Sequence, residues 1–285
     1  MHRNPGSGVA AAESASGPGP PLCAEAEEDG NMITKQHSTT VVTPSGTSTA
    51  RETVLEEAPV EILLNDEPEG TAMVLPRDLE EMAVGNLFGR GRIEAQTDIL
   101  GVEICEQGSR VNVHADAEAR SGEEMIATTG CGGTGRIAER LLREPLPRPP
   151  KFALSFEELA ELVRGTLTCS PLREQTHCVH GCGFLSQGAF QACYEDVGRH
   201  NAVDKLLGAM LLGRFSPVGA VYTTGRLTSD MVLKCARMGI PVVLSRTAPS
   251  SLGLEIARQA GLTLGCYVRP NRVNVFHAPE RIRAS

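Results

Sequence analysis

Between residues 218 and 268 short β-branched runs alternate with stretches of helical period, and that alternation leaves few folds open. Residues 218–223, 240–244 and 262–268 read as strands, and 230–238 and 252–260 as helices stopped by Gly239 and Gly261. Strands separated by single helices of this length form parallel βαβ units with helices on both faces of the sheet. The expectation is an α/β chain whose second half, residues 152–285, is a three-layer α/β/α sandwich.

Just ahead of that region, residues 194–208 read Y-E-D-V-G-R-H-N-A-V-D-K-L-L-G. Asp196, Arg199, His200, Asp204 and Lys205 crowd ionisable groups around a helix start, for which Asn201 is the expected cap. Ala202, Val203, Leu206, Leu207, Met210 and Leu211 give the helix a buried face. The charges suit recognition of a polar ligand, or simply a solvated helix start. Residues 155–158 form a capping box through Ser155 and Glu158, and 179–185 with 189–194 read as a hairpin.

The first half has a different pattern. Residues 60–64 and 71–75 pair about Asn65-Asp66, Pro76 opens a helix bearing Leu79, Met82, Ala83 and Leu87, and 101–105 with 110–114 make a second hairpin. This reads as an N-terminal α+β domain over 51–142, followed by a stiff Pro-rich linker at 143–151. Residues 1–50 are rich in Gly, Pro, Ser, Thr and Ala, with no aromatic before Phe88, and read as a disordered tail.

A net charge of -8 with no Trp and 4% aromatics argues against nucleic-acid and anionic-membrane partners. No apolar run reaches spanning length, and no secretory signal opens the chain. Nine cysteines, an odd count without a paired framework, point to a reducing compartment and hence the cytoplasm.

Three places carry chemistry. Cys131 sits in T-T-G-C-G-G-T-G, residues 128–135, just ahead of a stretch of helical composition that Thr134 can cap. A thiol before a helix N-terminus has a lowered pKa and more thiolate, which makes Cys131 the nucleophile candidate beside a bystander reading. His177, Cys178, His180 and Cys182 are metal-like in type, but they lie too close in sequence for all to bind one tetrahedral ion. The zinc deaminase pattern H-x-E with P-C-x-x-C is absent, so no metal is expected. Loops at 225–229, 245–251 and 267–272 follow strands, where α/β folds bind ligands, and bring Arg226, Arg246, Arg269 and Arg272 with free backbone N–H groups. Together these four guanidiniums suit a pyrophosphate.

D-V-G-R-H-N-A-V-D-K (196–205) resembles the signature of the formate dehydrogenase accessory sulfurtransferases, the FdhD family. L-P-R-D-L-E-E-M-A-V-G-N-L, S-x-x-A-P-S-S-L and x-R-x-x-R-x-N-V resemble it too, so the resemblance spans about 56–276. The Cys131 loop is similar to the family's T-G-C-G-x-C-G, except that Thr134 replaces the second cysteine. The resemblance implies a cytidine-deaminase-like fold for the second half. It also implies a persulfide carrier: Cys131 takes sulfur from a cysteine desulfurase and passes it to the molybdenum cofactor, Mo-bis(molybdopterin guanine dinucleotide), before insertion into formate dehydrogenase. Cofactor contacts fall on Tyr267, Val268, Arg269, Pro270, Asn271 and Arg272, with His180, Arg199, His200, Arg226 and Arg246 as further lining, in a homodimer. Two other readings stay open: a cofactor-binding chaperone without sulfur transfer, and a zinc-dependent deaminase-like hydrolase using residues 177–182.

Overall fold

The computed structural model describes residues 33–116 and 145–284. It opens with a β-hairpin, β1 (Thr34–Thr43) and β2 (Gly46–Leu55), paired from Thr34↔Leu55 to Thr43↔Gly46. The expected tail through residue 50 is therefore corrected over 34–50. Thr and Val supply β-propensity there, Pro44-Ser45 supplies the turn, and the hairpin's root is pinned where Leu55 packs with Leu75, Leu172 and Val179.

Next comes a four-stranded sheet in the order β4-β3-β6-β5, built from β3 (Ala58–Leu64), β4 (Glu67–Val74), β5 (Ile99–Cys105) and β6 (Arg110–Ala115). Asn65 and Asp66 turn β3 into β4 at φ 52° and 68°, the left-handed pair a two-residue hairpin needs. Helix α1 (Leu79–Gly89) follows β4 and is buried along most of its length.

The second sheet has six strands in the order β13-β12-β11-β10-β8-β9. Its elements run β7 (Leu154–Ser155), α2 (Phe156–Thr168), α3 (Pro171–Thr176), β8 (His180–Ser186), β9 (Ala189–Asp196) and α4 (Arg199–Leu211). Then follow β10 (Ala220–Thr223), α5 (Ser229–Arg237), β11 (Val242–Ser245), α6 (Ser251–Ala260), β12 (Thr263–Arg269), β13 (Arg272–His277) and β14 (Ile282–Arg283), which pairs with β7. The Ser155–Glu158 capping box starts α2, with Glu158 N–H donating to Ser155 Oγ at 3.1 Å.

Within the six-stranded sheet β10, β11 and β12 are parallel, while β8, β9 and β13 run antiparallel to their neighbours. The three parallel strands are the βαβ units expected from the alternation, and the hairpins β8–β9 and β12–β13 extend the sheet at both edges. Alternate residues of the central strands face opposite layers. Ala220, Tyr222, Val242, Leu244 and Val268 pack with Leu159, Leu162 and Val163 of α2. Phe184, Val221, Val243, Leu264 and Cys266 pack on the side of α4, α5 and α6. The strand period of two thus builds three layers.

Helices α1 and α4 join the two sheets at a backbone-to-backbone crossing. A Cβ on Gly85 would sit 1.8 Å from the Asp204 carbonyl oxygen, and one on Gly208 would sit 1.9 Å from that of Glu81. One apolar cluster runs through this crossing, from Val60 and Val111 of the first sheet to Val243 and Leu264 of the second.

Candidate functional site

The signature stretch divides by direction. Asp196, Asp204 and Lys205 turn inward and have no solvent exposure. Lys205 Nζ donates to Asp196 Oδ2 at 2.9 Å, the Glu195 carbonyl at 3.0 Å and the Leu75 carbonyl at 3.2 Å, which uses all three ammonium protons. Asp204 takes Lys234 Nζ at 2.6 and 2.9 Å, and burial pushes its carboxyl up from the ordinary range. These charges hold the fold together and are neither solvated nor turned toward a ligand, which corrects both readings for these three residues. Asn201 is likewise not the cap. Gly198 occupies that position, and Asn201 Nδ2 donates instead to Asp196 Oδ1 and the Met73 carbonyl, both at 2.9 Å.

Arg199 and His200 turn the other way, toward the ends of β8 and β10. The Arg199 stem lies against Gly225, where an added Cβ would come within 2.7 Å of Arg199 Cβ. His200 Nε2 pairs with Asp230 Oδ2, and Thr228 Oγ1 donates to Asp230 Oδ1 at 2.5 Å. Burial alone would raise the Asp230 carboxyl, but the hydrogen bond and charge of His200, with Thr228 and Lys234, hold it well below the usual range.

His180 opens β8 and meets Thr224 Oγ1 through Nδ1 at 3.1 Å. Thr224 Oγ1 already accepts the Gly181 N–H at 3.1 Å, leaving its own proton for a neutral imidazole. Desolvation and the charges of Arg199, Arg173 and His200 lower the His180 pKa, which favours that neutral form.

The loops after β10 and β11 are tied side by side. Ser245 Oγ donates to the Gly225 carbonyl at 2.6 Å, Arg246 N–H to the Thr223 carbonyl at 3.1 Å, and Leu227 N–H to the Ala248 carbonyl at 3.1 Å. Residues 267–272 join them from the β12–β13 hairpin, as the end of β12, the turn at Pro270-Asn271 and the start of β13, with Tyr267 left-handed at φ 55°. Tyr267 N–H reaches the Thr247 carbonyl at 3.0 Å, and Arg269 Nη1 reaches the Arg246 carbonyl at 3.1 Å.

Among the expected site residues, the sheet's carboxyl end thus gathers His180, Arg199, His200, Arg246, Tyr267 and Arg269. Arg226, Pro270 and Asn271 are exposed on the same loops. Arg272 is exposed on β13 with Nε donating to Asn274 Oδ1 at 3.2 Å, and Val268 is buried against the α2 layer. The His/Cys cluster does not converge: His177 and Cys178 are exposed, while Cys182 is fully buried with its thiol pushed well up. Among the described residues no three His, Cys, Asp or Glu side chains are placed to hold a metal ion. Cys131, Thr134 and their glycine loop lie outside the described residues.

Three groups escaped the sequence reading. Arg173 comes from the short helix α3, started by Ser170-Pro171, whose capping pattern signals a helix but not its direction. Tyr222 looks like an ordinary strand aromatic, and Asp230 like an ordinary first-turn acid.

With this geometry in place, the sequence profile of the FdhD/NarQ family matches residues 55–283. The chain belongs to the FdhD/NarQ family. It is 33% identical over 236 residues to the sulfur carrier protein FdhD of Wolinella succinogenes, covering 80% of this chain and 82% of that protein. The FdhD of Burkholderia mallei is 34% identical over 238 residues, covering 78% and 87%. A crystal structure from Desulfotalea psychrophila, assigned as a formate dehydrogenase accessory protein, superposes with a TM-score of 0.79 at 49% identity, covering 88% of this chain and all of that one. Among the described residues of this FdhD/NarQ chain, no helix is long and apolar enough to cross a membrane.

Proposed function

We propose that this chain carries sulfur for formate dehydrogenase: Cys131 takes it from a cysteine desulfurase as a persulfide, and the basic strand-end crevice holds the molybdenum cofactor that receives it. The observation that carries the cofactor half is the gathering of Arg199, Arg246, Arg269 and His180 at the carboxyl end of the parallel strands. The guanidiniums there fit the pyrophosphates of a bis(guanine dinucleotide). The sulfur half is supported by the named relatives and by the residue type of Cys131.

In the loading step the Cys131 thiolate attacks the sulfane sulfur of the desulfurase's cysteine persulfide. The donor's S–S bond breaks, its cysteine leaves as a thiolate, and Cys131–S–S⁻ forms with no net change of oxidation state. Thr134 cannot carry sulfane sulfur, since a hydroxyl is a poor nucleophile near neutral pH. The molybdenum cofactor is cargo in this scheme. The same reading assigns a cytoplasmic homodimer.

The test is sulfur labelling from a desulfurase followed by peptide mass mapping. Label is expected on Cys131 and lost in Cys131→Ser, together with formate dehydrogenase maturation, while Thr134→Ala and Thr134→Cys keep both. Label on Cys178, Cys182 or Cys193 with Cys131→Ser still active would overturn the assignment.

A further inference from the structure

The Cys169 and Cys193 thiols meet at one acceptor. Cys169 caps the end of α2, and its Sγ lies 3.6 Å from the Thr166 carbonyl oxygen. Cys193 comes from β9, and its Sγ lies 3.9 Å from the same oxygen. That carbonyl is in the last turn of α2, where carbonyls lack helical partners. The thiols also hydrogen-bond each other, and this contact, with burial, pushes the Cys193 thiol well up. Just beyond, the same two segments are tied again. Ser170 hydrogen-bonds the buried Glu195 carboxylate, and its Oγ accepts the Arg173 N–H at 3.1 Å to start α3. Cys182, Cys235 and Cys266 are core residues of the large apolar cluster. Cys193 is buried outside that cluster and Cys169 is half-buried, so apolar packing does not account for this pair.

We propose that Cys169 and Cys193 are a redox pair that closes to a disulfide on exposure to hydrogen peroxide and clamps the α2–α3 corner onto β9. Thiols in hydrogen-bond contact are already close to bridging separation. The half-buried Cys169 meets the oxidant first. Its thiolate attacks one peroxide oxygen, the O–O bond breaks, and Cys169 becomes a sulfenic acid as hydroxide leaves and is protonated to water. The Cys193 sulfur then attacks the sulfenic sulfur. The S–S bond forms, and the hydroxyl departs with the Cys193 proton as a second water. Two thiols have given two electrons and two protons to one peroxide, and a dithiol reductant reverses the change. Burial shelters Cys193 from the oxidant and leaves it to its neighbour, the arrangement of a resolving thiol. Because Ser170 follows Cys169 directly and caps α3, the bridge holds α3 and its Arg173 against the sheet.

The test treats reduced full-length protein with hydrogen peroxide, digests it without reductant and maps the peptides by mass. A linked Cys169–Cys193 peptide is expected, lighter by two hydrogens than its thiol form and lost on adding dithiothreitol. In Cys193→Ser the sulfenic acid on Cys169 is expected to persist and take a dimedone label, which wild type loses as the bridge closes. Amide hydrogen exchange over residues 171–176 is expected to slow severalfold in the bridged protein. Wild type that shows oxidised Cys169 or Cys178 but no Cys169–Cys193 peptide overturns the pair, and so does Cys169 linked to the exposed Cys178 instead. A linked peptide with unchanged exchange over 171–176 supports the pair and overturns the clamp. The wild-type map and exchange stand by themselves if Cys193→Ser fails to fold.

Discussion

Asp196 Oδ2 and Lys205 Nζ lie 2.9 Å apart with neither side chain exposed, and each also bonds to the segment that leads into α1. Asp196 Oδ2 accepts the Leu75 N–H at 3.1 Å, and Lys205 donates to the Leu75 carbonyl at 3.2 Å. Lys205→Met leaves the carboxylate buried without its counter-charge and is expected to cost about 3–5 kcal/mol. Urea unfolding monitored by circular dichroism measures it. A loss below about 1 kcal/mol would mean that water reaches the pair.

The α1–α4 crossing makes a sharper prediction, because the obstacle is backbone. Gly85→Ala and Gly208→Ala force the helices apart and are each expected to cost about 3 kcal/mol or more. Gly101→Ala, where an added Cβ meets nothing within 4 Å, should stay within about 0.5 kcal/mol. Equal melting temperatures for all three would contradict the close approach.

His180 gives a pH dependence with a defined sign. Its native pKa is lowered, chiefly by burial, so the unfolded chain takes up this proton first as pH falls. The contribution is complete above the unfolded value of about 6.5 and is lost as pH drops through the lowered native value. Between about pH 7 and 5, wild type should therefore lose stability more steeply than His180→Gln. Parallel curves would show that His180 titrates normally.

At the strand-end loops, Arg269→Ala and Arg272→Ala are each expected to weaken guanine-nucleotide binding tenfold or more, the loss of one charge-assisted contact of about 1.5–3 kcal/mol. Arg269 also braces the Arg246 carbonyl, so its replacement should shift the melting temperature as well, while the exposed Arg272 should not. Unchanged affinity in both variants would remove these two residues from the site.

What the sequence made legible was local. The alternation over 218–268 declared its strands and helices, and Ser155 with Glu158 declared the start of α2, because period and capping are short-range physics. The direction of β13 was not legible, since a strand's own residues do not say which neighbour it pairs with. The N-terminal hairpin was hidden because β1 and β2 are almost wholly exposed and lack the inward apolar alternation that marks a strand. Asp196, Asp204 and Lys205 were misread for the opposite reason. Charge in a sequence suggests solvent or ligand, and only the fold reveals that each one meets its counter-charge in the core. Arg173 could not be placed without knowing how α3 folds back toward β8.

The Lys205 ammonium draws one carbonyl from beyond β4 and one from β9, and Gly85 and Gly208 leave no gap at the seam where α1 meets α4. A polypeptide severed between β6 and β7 would therefore not yield two autonomous modules. Each piece would carry half of a clasp: a fragment ending after β6 offers the Leu75 carbonyl to no cation, and one beginning before β7 keeps a buried lysine with an open flank. Co-expressed, the pieces should find each other and reconstitute the protein; expressed singly, each should be insoluble.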